Sequence, residues 1–505
     1  MRDSAAISPS NSDLQGLEDV IDQIRNEWDI PGLATAVIKD GQVIVSQGFG
    51  KRSVAGNLGT TDQTLFAIGS CSKAFTAMAI AMLVDEGVLN WDEPIRRYLP
   101  AFKLYDPIAT EQTTVRDLLA HRTGMPRYDL MWYNSSLSRK EVFERLPYLE
   151  PNKGFREVWQ YQNLMYMTAG YLIEALAGQT WEEFVQQRIL TPLGMTTTNF
   201  STNESQQAPD FALPYREIKD EVQQMAFYDR FQAVGPAGSI NSSVQDMCKW
   251  LQCLLNKGTY GETTLVSEAQ FAQLVTPHMV VPDGPFFNYP ELFHRTYGLG
   301  WLITSYRGHT LLEHSGGIDG FSALVSFLPD DNIGIVTLTN LDGQFAPQAV
   351  HYMLFDRLLG LDERPWNDRF KQDYQRMKEQ MKKVKDDSLG HRVSDAPLSH
   401  PLNAYTGRFE HASALGVFTI TRDCETLKGM YNDSEYTFQH LHYDIFLVSS
   451  ERFQLHMKGS FATGLDGDIE SFSLPIEPGF KPLVFTRVAD KSLREKSVLE
   501  KEEAI

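Results

Sequence analysis

Strand-forming segments flank a long helix-rich stretch in the first two thirds of this chain. A hairpin pattern covers residues 33–48, and strand patterns return over residues 298–340. Helix-forming segments dominate residues 70–255, and a last helix is expected over residues 348–359. Strands from the two ends can pair in one sheet, which the helices between them then cover. The sequence therefore predicts an α/β/α sandwich with a helical subdomain and a cleft between them.

A second architecture is expected at the C-terminal end. Residues 363–400 are crowded with Lys, Asp, Glu and Gln, which predicts a solvated helix followed by a linker. Short strand patterns at regular spacing follow, and they favour a small antiparallel barrel. At 505 residues the chain is also too long for one ordinary domain. We expect an α/β domain over residues 14–362, a charged helical linker over 363–400 and an all-β barrel over 401–490.

The first chemical signature is the run from Ser70 to Lys73, at the start of an apolar, Ala- and Met-rich helix. Residues three apart share a helix face, so the Lys73 amine can lie beside the Ser70 hydroxyl. A buried lysine loses much of its preference for the charged form and can accept a proton. Cys71 points about 100° away on a helix and is expected to pack rather than react. A pattern this short also arises by chance, so it is weak evidence when taken alone.

The second signature is Tyr161-Gln162-Asn163, at a junction between a loop and a buried helix. A tyrosine beside a lysine has its phenolate stabilised and can relay protons. Asn163 can accept a hydrogen bond from Lys73 and donate one to a substrate carbonyl. The alternative is a buried tyrosine with an asparagine that caps the helix, and for Asn163 alone this alternative is favoured.

The third signature is His314-Ser315-Gly316, which is followed by Gly317 and lies on a predicted strand. Glycines have no Cβ, so a substrate carbonyl could approach Gly316 and Gly317 closely. The Gly317 N–H and the Ser70 N–H would then form an oxyanion hole. His314 could supply a cation or a hydrogen-bond donor to a substrate carboxylate or to Tyr161. A lone histidine near a strand is more often structural, and only its place in the series suggests a function.

Together, the S-x-x-K, Y-x-N and H-x-G signatures resemble those of the serine β-lactamase and penicillin-binding-protein-like superfamily. The likeness is to the group of class C β-lactamases, D-aminopeptidases, esterases and D-Ala-D-Ala carboxypeptidases (peptidase family S12), and it covers about residues 14–360. Segments 115–126, 184–195, 235–247 and 297–301 are similar as well. The C-terminal barrel resembles the lipocalin-like modules of some family members. The resemblance implies Ser70 as nucleophile, Lys73 as its base partner, Tyr161 as proton relay, Asn163 as orienting residue and His314 as third-motif residue.

One departure from the family pattern concerns the third signature. Classical β-lactamases and penicillin-binding proteins carry lysine where this chain carries His314, and histidine is charged only part of the time near neutral pH. The resemblance therefore implies a serine hydrolase with an acyl-enzyme on Ser70, of which a D-aminopeptidase-type peptidase on small peptides is preferred. A carboxylesterase or acyltransferase stays open. A weak β-lactamase or a non-catalytic penicillin-binding sensor is a further alternative.

Composition limits the partners. The net charge of −19 argues against nucleic acid and anionic membranes, and no stretch is long and apolar enough to span a bilayer. The polar N-terminus lacks the apolar core of a secretory signal, which predicts a cytoplasmic protein unless a leader was removed. Four scattered cysteines and the absence of metal-ligand spacing lead us to expect no metal and no cofactor. We expect a small-molecule or short-peptide substrate, and a homo-oligomer is one possibility.

Two aromatic-rich segments are predicted to be insertions beside the cleft. They cover residues 130–149 and 282–294. Their Tyr, Phe and Trp side chains could set the substrate pocket, and an interpretation as surface loops is equally open. The barrel is expected to cap the cleft, to restrict substrate length or to mediate oligomers.

Overall fold

The computed structural model describes residues 16–390, 392–394, 396–412, 415–476 and 480–488. The chain forms two compact units. Of the described residues, the first unit holds those up to 125, 138–143 and 153–376, and the second holds 126–137, 144–152 and those from 377 onward. The predicted limits at residues 14 and 490 lie outside the described residues, and the domain boundaries remain a prediction.

Nine strands of the described chain form the antiparallel sheet of the first unit. They are Gly32–Lys39 (β1), Gln42–Ser53 (β2), Leu58–Gly59 (β3), Met279–Val280 (β4), Leu292–Tyr297 (β5), Leu302–Tyr306 (β6), His309–Ile318 (β7), Phe321–Leu328 (β8) and Ile333–Thr339 (β9). Their order in the sheet is β4-β5-β6-β7-β8-β9-β1-β2-β3. β9 pairs with β1, with Leu33 opposite Thr339, so the two ends of the segment do close one sheet.

Helices cover both faces of this sheet. Leu17–Glu27 and Ala346–Leu358 share one apolar core with the sheet side chains Ile333 and Ile335. Gly334, which lies between these two residues on β9, faces the opposite side of the sheet. A Cβ there would contact Leu251 and Leu255 of the helix Val244–Leu255. The remaining helices of this unit before residue 275 are Ser72–Asp85, Pro107–Gln112, Val115–Leu119, Asn163–Ala177, Trp181–Val185, Thr191–Leu193, Thr202–Ser205 and Glu268–Leu274.

The first unit is thus an α/β/α sandwich with a helical subdomain, which confirms the predicted fold class. Two further helices, Asp129–Trp132 and Arg139–Arg145, include residues of the second unit. Among the described residues, no helix combines the length and the apolar character needed to cross a membrane.

The charged segment begins in the core rather than in solvent. A helix runs over Trp366–Gly390, and Trp366 and Phe370 are buried. Trp366 packs edge-on against Tyr352 at a centroid distance of 5.2 Å. Trp366 and Phe370 lie four residues apart and therefore share one face of the helix. Their signal is hidden in a composition that is otherwise charged, and the helix is therefore packed at its start and not solvated throughout.

The second unit contains the predicted barrel. Its strands are Gly407–His411 (β10), Val417–Asp423 (β11), Thr426–Tyr431 (β12), Ser434–His442 (β13), Ile445–Ser450 (β14), Leu455–Thr463 (β15), Ile469–Leu474 (β16) and Leu483–Arg487 (β17). Each strand pairs with the next, and β17 closes the barrel on β10. This up-and-down order of eight strands is that of lipocalin-like barrels and confirms the predicted all-β architecture.

Aromatic rings fill the barrel. Phe461 and Phe472 lie 4.9 Å apart between ring centroids, and Phe418 lies 5.4 Å from Phe472. All three are buried. The barrel interior is therefore a packed core, in which aromatic pairs supply the apolar area that a small domain needs.

The turn between β12 and β13 holds a segment that comes from much earlier in the chain. Asn432 donates from Nδ2 to the carbonyl oxygens of Leu130, at 2.7 Å, and Met131, at 3.1 Å. Asn134 donates in return to the Asp433 carbonyl at 3.0 Å. Part of the segment predicted as an insertion beside the cleft thus packs in the same compact unit as the barrel.

We expect Phe418→Ala to destabilise the barrel by about 3–5 kcal/mol, because it removes a buried ring from the centre of the aromatic core. Tyr443→Ala is the matched control, since Tyr443 is 52% exposed, and its effect should stay within about 0.5 kcal/mol. Urea unfolding followed by near-UV circular dichroism measures both. Equal stabilities of the two variants would contradict the packed-core description.

Candidate active site

Ser70 and Lys73 lie where the backbone enters the helix Ser72–Asp85. A 3₁₀ turn over Gly69–Cys71 leads directly into that helix, and its residues are buried from Ser72 to Leu83. Lys73 is 0% exposed, and its Nζ lies 2.9 Å from Ser70 Oγ. The spacing of three therefore places the amine against the hydroxyl, and Ser70 itself stays partly exposed.

Two carbonyl oxygens orient the Lys73 amine. Nζ donates to Asn163 Oδ1 and to the Ala237 carbonyl, each at 2.8 Å. The helix Asn163–Ala177 is capped by Gln162, whose side chain accepts from the Leu164 N–H at 2.7 Å. The capping role considered for Asn163 is therefore wrong. Because Gln162 takes it, the Asn163 amide faces Lys73 instead.

Tyr161 completes a triangle with Ser70 and Lys73. Its hydroxyl donates to Ser70 Oγ at 2.7 Å, and Lys73 Nζ lies 4.8 Å from the centre of its ring. The His121 ring packs against the Tyr161 ring at a centroid distance of 4.5 Å. The His121 Nδ1 accepts from the Gln162 N–H at 3.1 Å, so the histidine fixes both the ring and the backbone next to it.

The loop that leads to Tyr161 is held by a buried carboxylate. Asp117 receives a bidentate pair from Arg156, with Nε at 2.8 Å and Nη2 at 2.7 Å. Burial raises the pKa of Asp117, but hydrogen bonds from Arg156 and Thr114 outweigh it and hold the pKa below its usual range. The ion pair therefore anchors the loop before Tyr161 to the start of the helix Val115–Leu119.

His314 lies on β7 and is neutral. Its Nδ1 is 2.7 Å from the Ser315 carbonyl, which can only accept, so Nδ1 carries the proton. Its Nε2 is 3.0 Å from the Tyr297 hydroxyl, which therefore donates. Burial, and next the charge of Lys73, lower the pKa of His314 to about 3. The pKa of Tyr297 is raised by burial, which agrees with a protonated hydroxyl.

This arrangement does not support the role suggested by the sequence, in which a charged His314 acts as a cation toward a substrate carboxylate or Tyr161. The ring centres of His314 and Tyr161 are 6.4 Å apart, and the hydrogen bonds of the imidazole go to Tyr297 and Ser315. A side chain that is buried and already hydrogen-bonded as the neutral form cannot act as a permanent countercharge for a substrate carboxylate.

Two glycines bring β7 against the Ser70 turn. Gly69 has φ +49°, and a Cβ there would lie 2.8 Å from the Gly317 nitrogen. A Cβ on Gly316 would lie 1.9 Å from the Ile68 carbonyl oxygen. Gly316 is thus needed for the close packing of β7 against the Ser70 turn, and its part in substrate binding stays a prediction. At Gly317 a Cβ would meet no described atom within 4 Å, so this position faces open space beside Ser70.

Cys71 is turned away from this space, as the sequence predicts. Its thiol donates to the His314 carbonyl at 3.1 Å, and burial raises its pKa to about 12. A protonated, buried thiol is a poor nucleophile. Within the described residues, no group of three or more His, Cys, Asp and Glu side chains is arranged to hold a metal ion.

The geometry joins a serine, a lysine, a tyrosine and a glycine-rich strand, which is the arrangement of penicillin-binding-type serine hydrolases. The profile of the beta-lactamase family matches residues 17–355, and a domain of unknown function (DUF3471) matches residues 391–487. The chain therefore belongs to the beta-lactamase family. It is 30% identical to unguisins hydrolase ungD of Aspergillus violaceofuscus over 464 residues, which are 84% of this chain and 80% of that protein.

Solved structures share the fold. An octameric penicillin-binding protein homologue from Pyrococcus abyssi has a TM-score of 0.62 at 24% identity, over 94% of this chain and 100% of that one. A D-amino acid amidase from Ochrobactrum anthropi SV3, complexed with D-phenylalanine, has a TM-score of 0.56 at 22% identity, over 68% and 99%. At these identities the likeness establishes the fold and not the substrate.

The structure joins Ser70, Lys73, Tyr161 and Asn163 by hydrogen bonds and places His314 beside them. It adds three groups that had no assigned role. These are the Ala237 carbonyl, the His121 ring and the Tyr297 hydroxyl. Each lies in a segment that resembles the family, so the signal was present as a motif. The role of each group could not be predicted, because a backbone carbonyl or a supporting ring has no recognisable pattern in a sequence.

We expect His314 to remain neutral from pH 8 down to pH 5, because its pKa is lowered to about 3 and protonation begins only near that value. ¹⁵N NMR of protein labelled at histidine nitrogens measures this, with His314→Gln assigning the signal and free imidazole as an internal reference. A His314 signal that titrates near the ordinary value of about 6.5 would contradict the neutral assignment.

Proposed function

We propose that this protein is a serine hydrolase that cleaves amide bonds of small peptides through an acyl-enzyme on Ser70. One observation carries the proposal. Ser70 Oγ lies within hydrogen-bond distance of two proton-transfer groups at once, the Lys73 amine at 2.9 Å and the Tyr161 hydroxyl at 2.7 Å. No histidine is needed as the base.

The surroundings of Lys73 suit a base. A neutral amine has two N–H bonds and one lone pair. The carbonyl oxygens of Asn163 and Ala237 can take the two N–H bonds, and the lone pair then faces the Ser70 hydroxyl. Complete burial favours the neutral form of an amine. The Ser70 proton passes to Lys73 while Oγ attacks the substrate carbonyl carbon.

The oxygen that becomes negative in this step would be held by the backbone N–H groups of Ser70 and Gly317. When the C–N bond breaks, the leaving nitrogen takes a proton from the Tyr161 hydroxyl, and Lys73 returns the serine proton to the phenolate. The result is an ester on Ser70 and a free amine. Water then attacks the carbonyl carbon of this ester, and its proton passes by way of Tyr161 to Lys73. The bond between that carbon and Ser70 Oγ breaks, Oγ takes the proton back from Lys73, and the carboxylic acid leaves.

Amide cleavage is favoured over the other chemistries of this site. An amide needs a proton donor at its leaving nitrogen, and Tyr161 is placed to act as one. The neutral His314 offers no fixed cation for the carboxylate of a β-lactam. Relatives named as an unguisins hydrolase and a D-amino acid amidase support a D-aminopeptidase-type activity on peptides. A carboxylesterase or acyltransferase would share the acyl-enzyme, and a leaving-group comparison separates them from an amidase.

Lys73→Met should lower kcat for amide substrates by about 10²–10⁴-fold, because it keeps the volume of the side chain and removes the base. Ser70→Ala should abolish hydrolysis while the fold persists. A panel of D- and L-aminoacyl p-nitroanilides measures both variants, with Lys103→Met as the control for a lysine elsewhere on the chain. A Lys73→Met protein with near wild-type kcat would refute the assigned base.

Tyr161→Phe should affect amides more than activated esters. An amine must be protonated to leave, whereas p-nitrophenolate leaves without a proton, so we expect a loss of about 10²–10⁴-fold for p-nitroanilides and of about tenfold or less for the matching p-nitrophenyl esters. Tyr105→Phe, at an exposed tyrosine, is the control. Equal losses on both substrate classes would place the proton donor elsewhere.

A further inference from the structure

A large cavity opens directly beside Tyr161 and His314. Its volume is about 270 Å³, and it is partly open to solvent. Six aromatic side chains line it together with three leucines, and the aromatic ones are Trp159, Tyr161, Phe287, Tyr297, Tyr352 and Phe370. A concave site with an apolar wall and a few polar groups is the usual form of a ligand pocket.

We propose that this cavity binds the residue on the leaving side of the scissile bond and selects an aromatic or large aliphatic side chain there. This inference rests on the proposed function. Tyr161 supplies the link, because the hydroxyl that would protonate the leaving nitrogen is carried by a ring that forms part of the cavity wall. A leaving group that meets this hydroxyl therefore extends from Ser70 toward the cavity.

The wall is built before any ligand arrives. Asp373 is buried and accepts hydrogen bonds from the Phe287 N–H at 3.1 Å and from the Tyr289 hydroxyl at 2.5 Å. The Phe287 ring then packs on Phe345 at 4.8 Å and on Phe370 at 5.6 Å between centroids. Phe287 also has φ +61°, a conformation that a bulky residue adopts only where its surroundings impose it. The segment 282–294 is thus pinned in place as one side of the cavity.

A few polar groups interrupt the apolar wall. The Glu313 carboxyl is 9% exposed and accepts from the Tyr352 hydroxyl at 3.2 and 3.3 Å, which leaves acceptor capacity for a peptide N–H. Within the described part of the chain, Gln348 Oε1 has no hydrogen-bond partner, and its residue also lines the cavity. Burial raises the pKa of Glu313 to about 7, and Arg295 already donates to the Phe287 carbonyl, so neither group is placed as a countercharge for a ligand side chain.

These features define the ligand by class. Large apolar area is recovered when an aromatic or branched aliphatic side chain fills the cavity, and a methyl group would leave most of it empty. The carboxyl and amide groups then suit the backbone of the leaving residue rather than its side chain. The cavity therefore favours peptides in which a bulky, uncharged residue follows the scissile bond.

The test compares two dipeptide amides that share one acyl residue, chosen as the best in the p-nitroanilide panel, and end in phenylalaninamide or alaninamide. We expect wild-type kcat/KM to favour phenylalaninamide by tenfold or more. Leu302→Trp fills the cavity from its partly exposed wall and should lower this ratio at least tenfold. Leu58→Trp makes the same change at an exposed strand outside the cavity and should leave the ratio as in the wild type.

Melting curves and labelling of Ser70 by a fluorophosphonate show which proteins are folded and active. If Leu302→Trp fails to fold, Leu292→Phe makes a smaller change in the same wall and replaces it. A wild-type ratio near one, or a ratio unchanged by filling the cavity, overturns the subsite although Ser70 still reacts. No hydrolysis of any substrate, together with no labelling of Ser70, overturns the proposed function itself.

Discussion

The site depends on one lysine amine that is buried and yet held at three points. Lys73 Nζ contacts Asn163 Oδ1, the Ala237 carbonyl and Ser70 Oγ, all within 2.9 Å. These partners come from three separate parts of the chain, so the amine is placed correctly only when the whole first unit is folded. A buried amine without such partners would be costly, and a solvated one would stay protonated. The fold thus provides both the burial and the compensation that a lysine base requires.

The side chain at position 314 lies close to Lys73, and its charge affects how easily the lysine amine is buried. A permanent cation at position 314 would be repelled by Lys73 whenever the amine carries a proton, which would raise the cost of burying both groups. The neutral imidazole avoids this cost, because it is satisfied by the Ser315 carbonyl and the Tyr297 hydroxyl. The site therefore has no permanent positive charge at position 314, and the cavity beside Tyr161 offers mainly apolar contacts.

The helix spacing and the strand patterns could be interpreted from the sequence, whereas competition between neighbouring side chains and the packing of particular distant residues could not. The spacing of Ser70 and Lys73 on one helix predicts their contact, and the strand patterns at both ends of the segment predict the sheet. The capping of the helix by Gln162 instead of Asn163 depends on competition between neighbouring side chains, which residue preferences do not resolve. The buried start of the helix Trp366–Gly390 was missed because charged residues dominate that stretch. At Gly316 the sequence suggested substrate approach, and the close contact with the Ile68 backbone is a separate constraint that only the fold reveals.

The central claim is that the hydroxyl of Ser70 is the atom that becomes acylated. Intact-mass spectrometry after treatment with a fluorophosphonate, followed by peptide mapping, tests it most directly. The account predicts a single adduct on the peptide that contains Ser70 and a loss of labelling in Lys73→Met. An adduct on any other residue, with Ser70 unmodified, would contradict it.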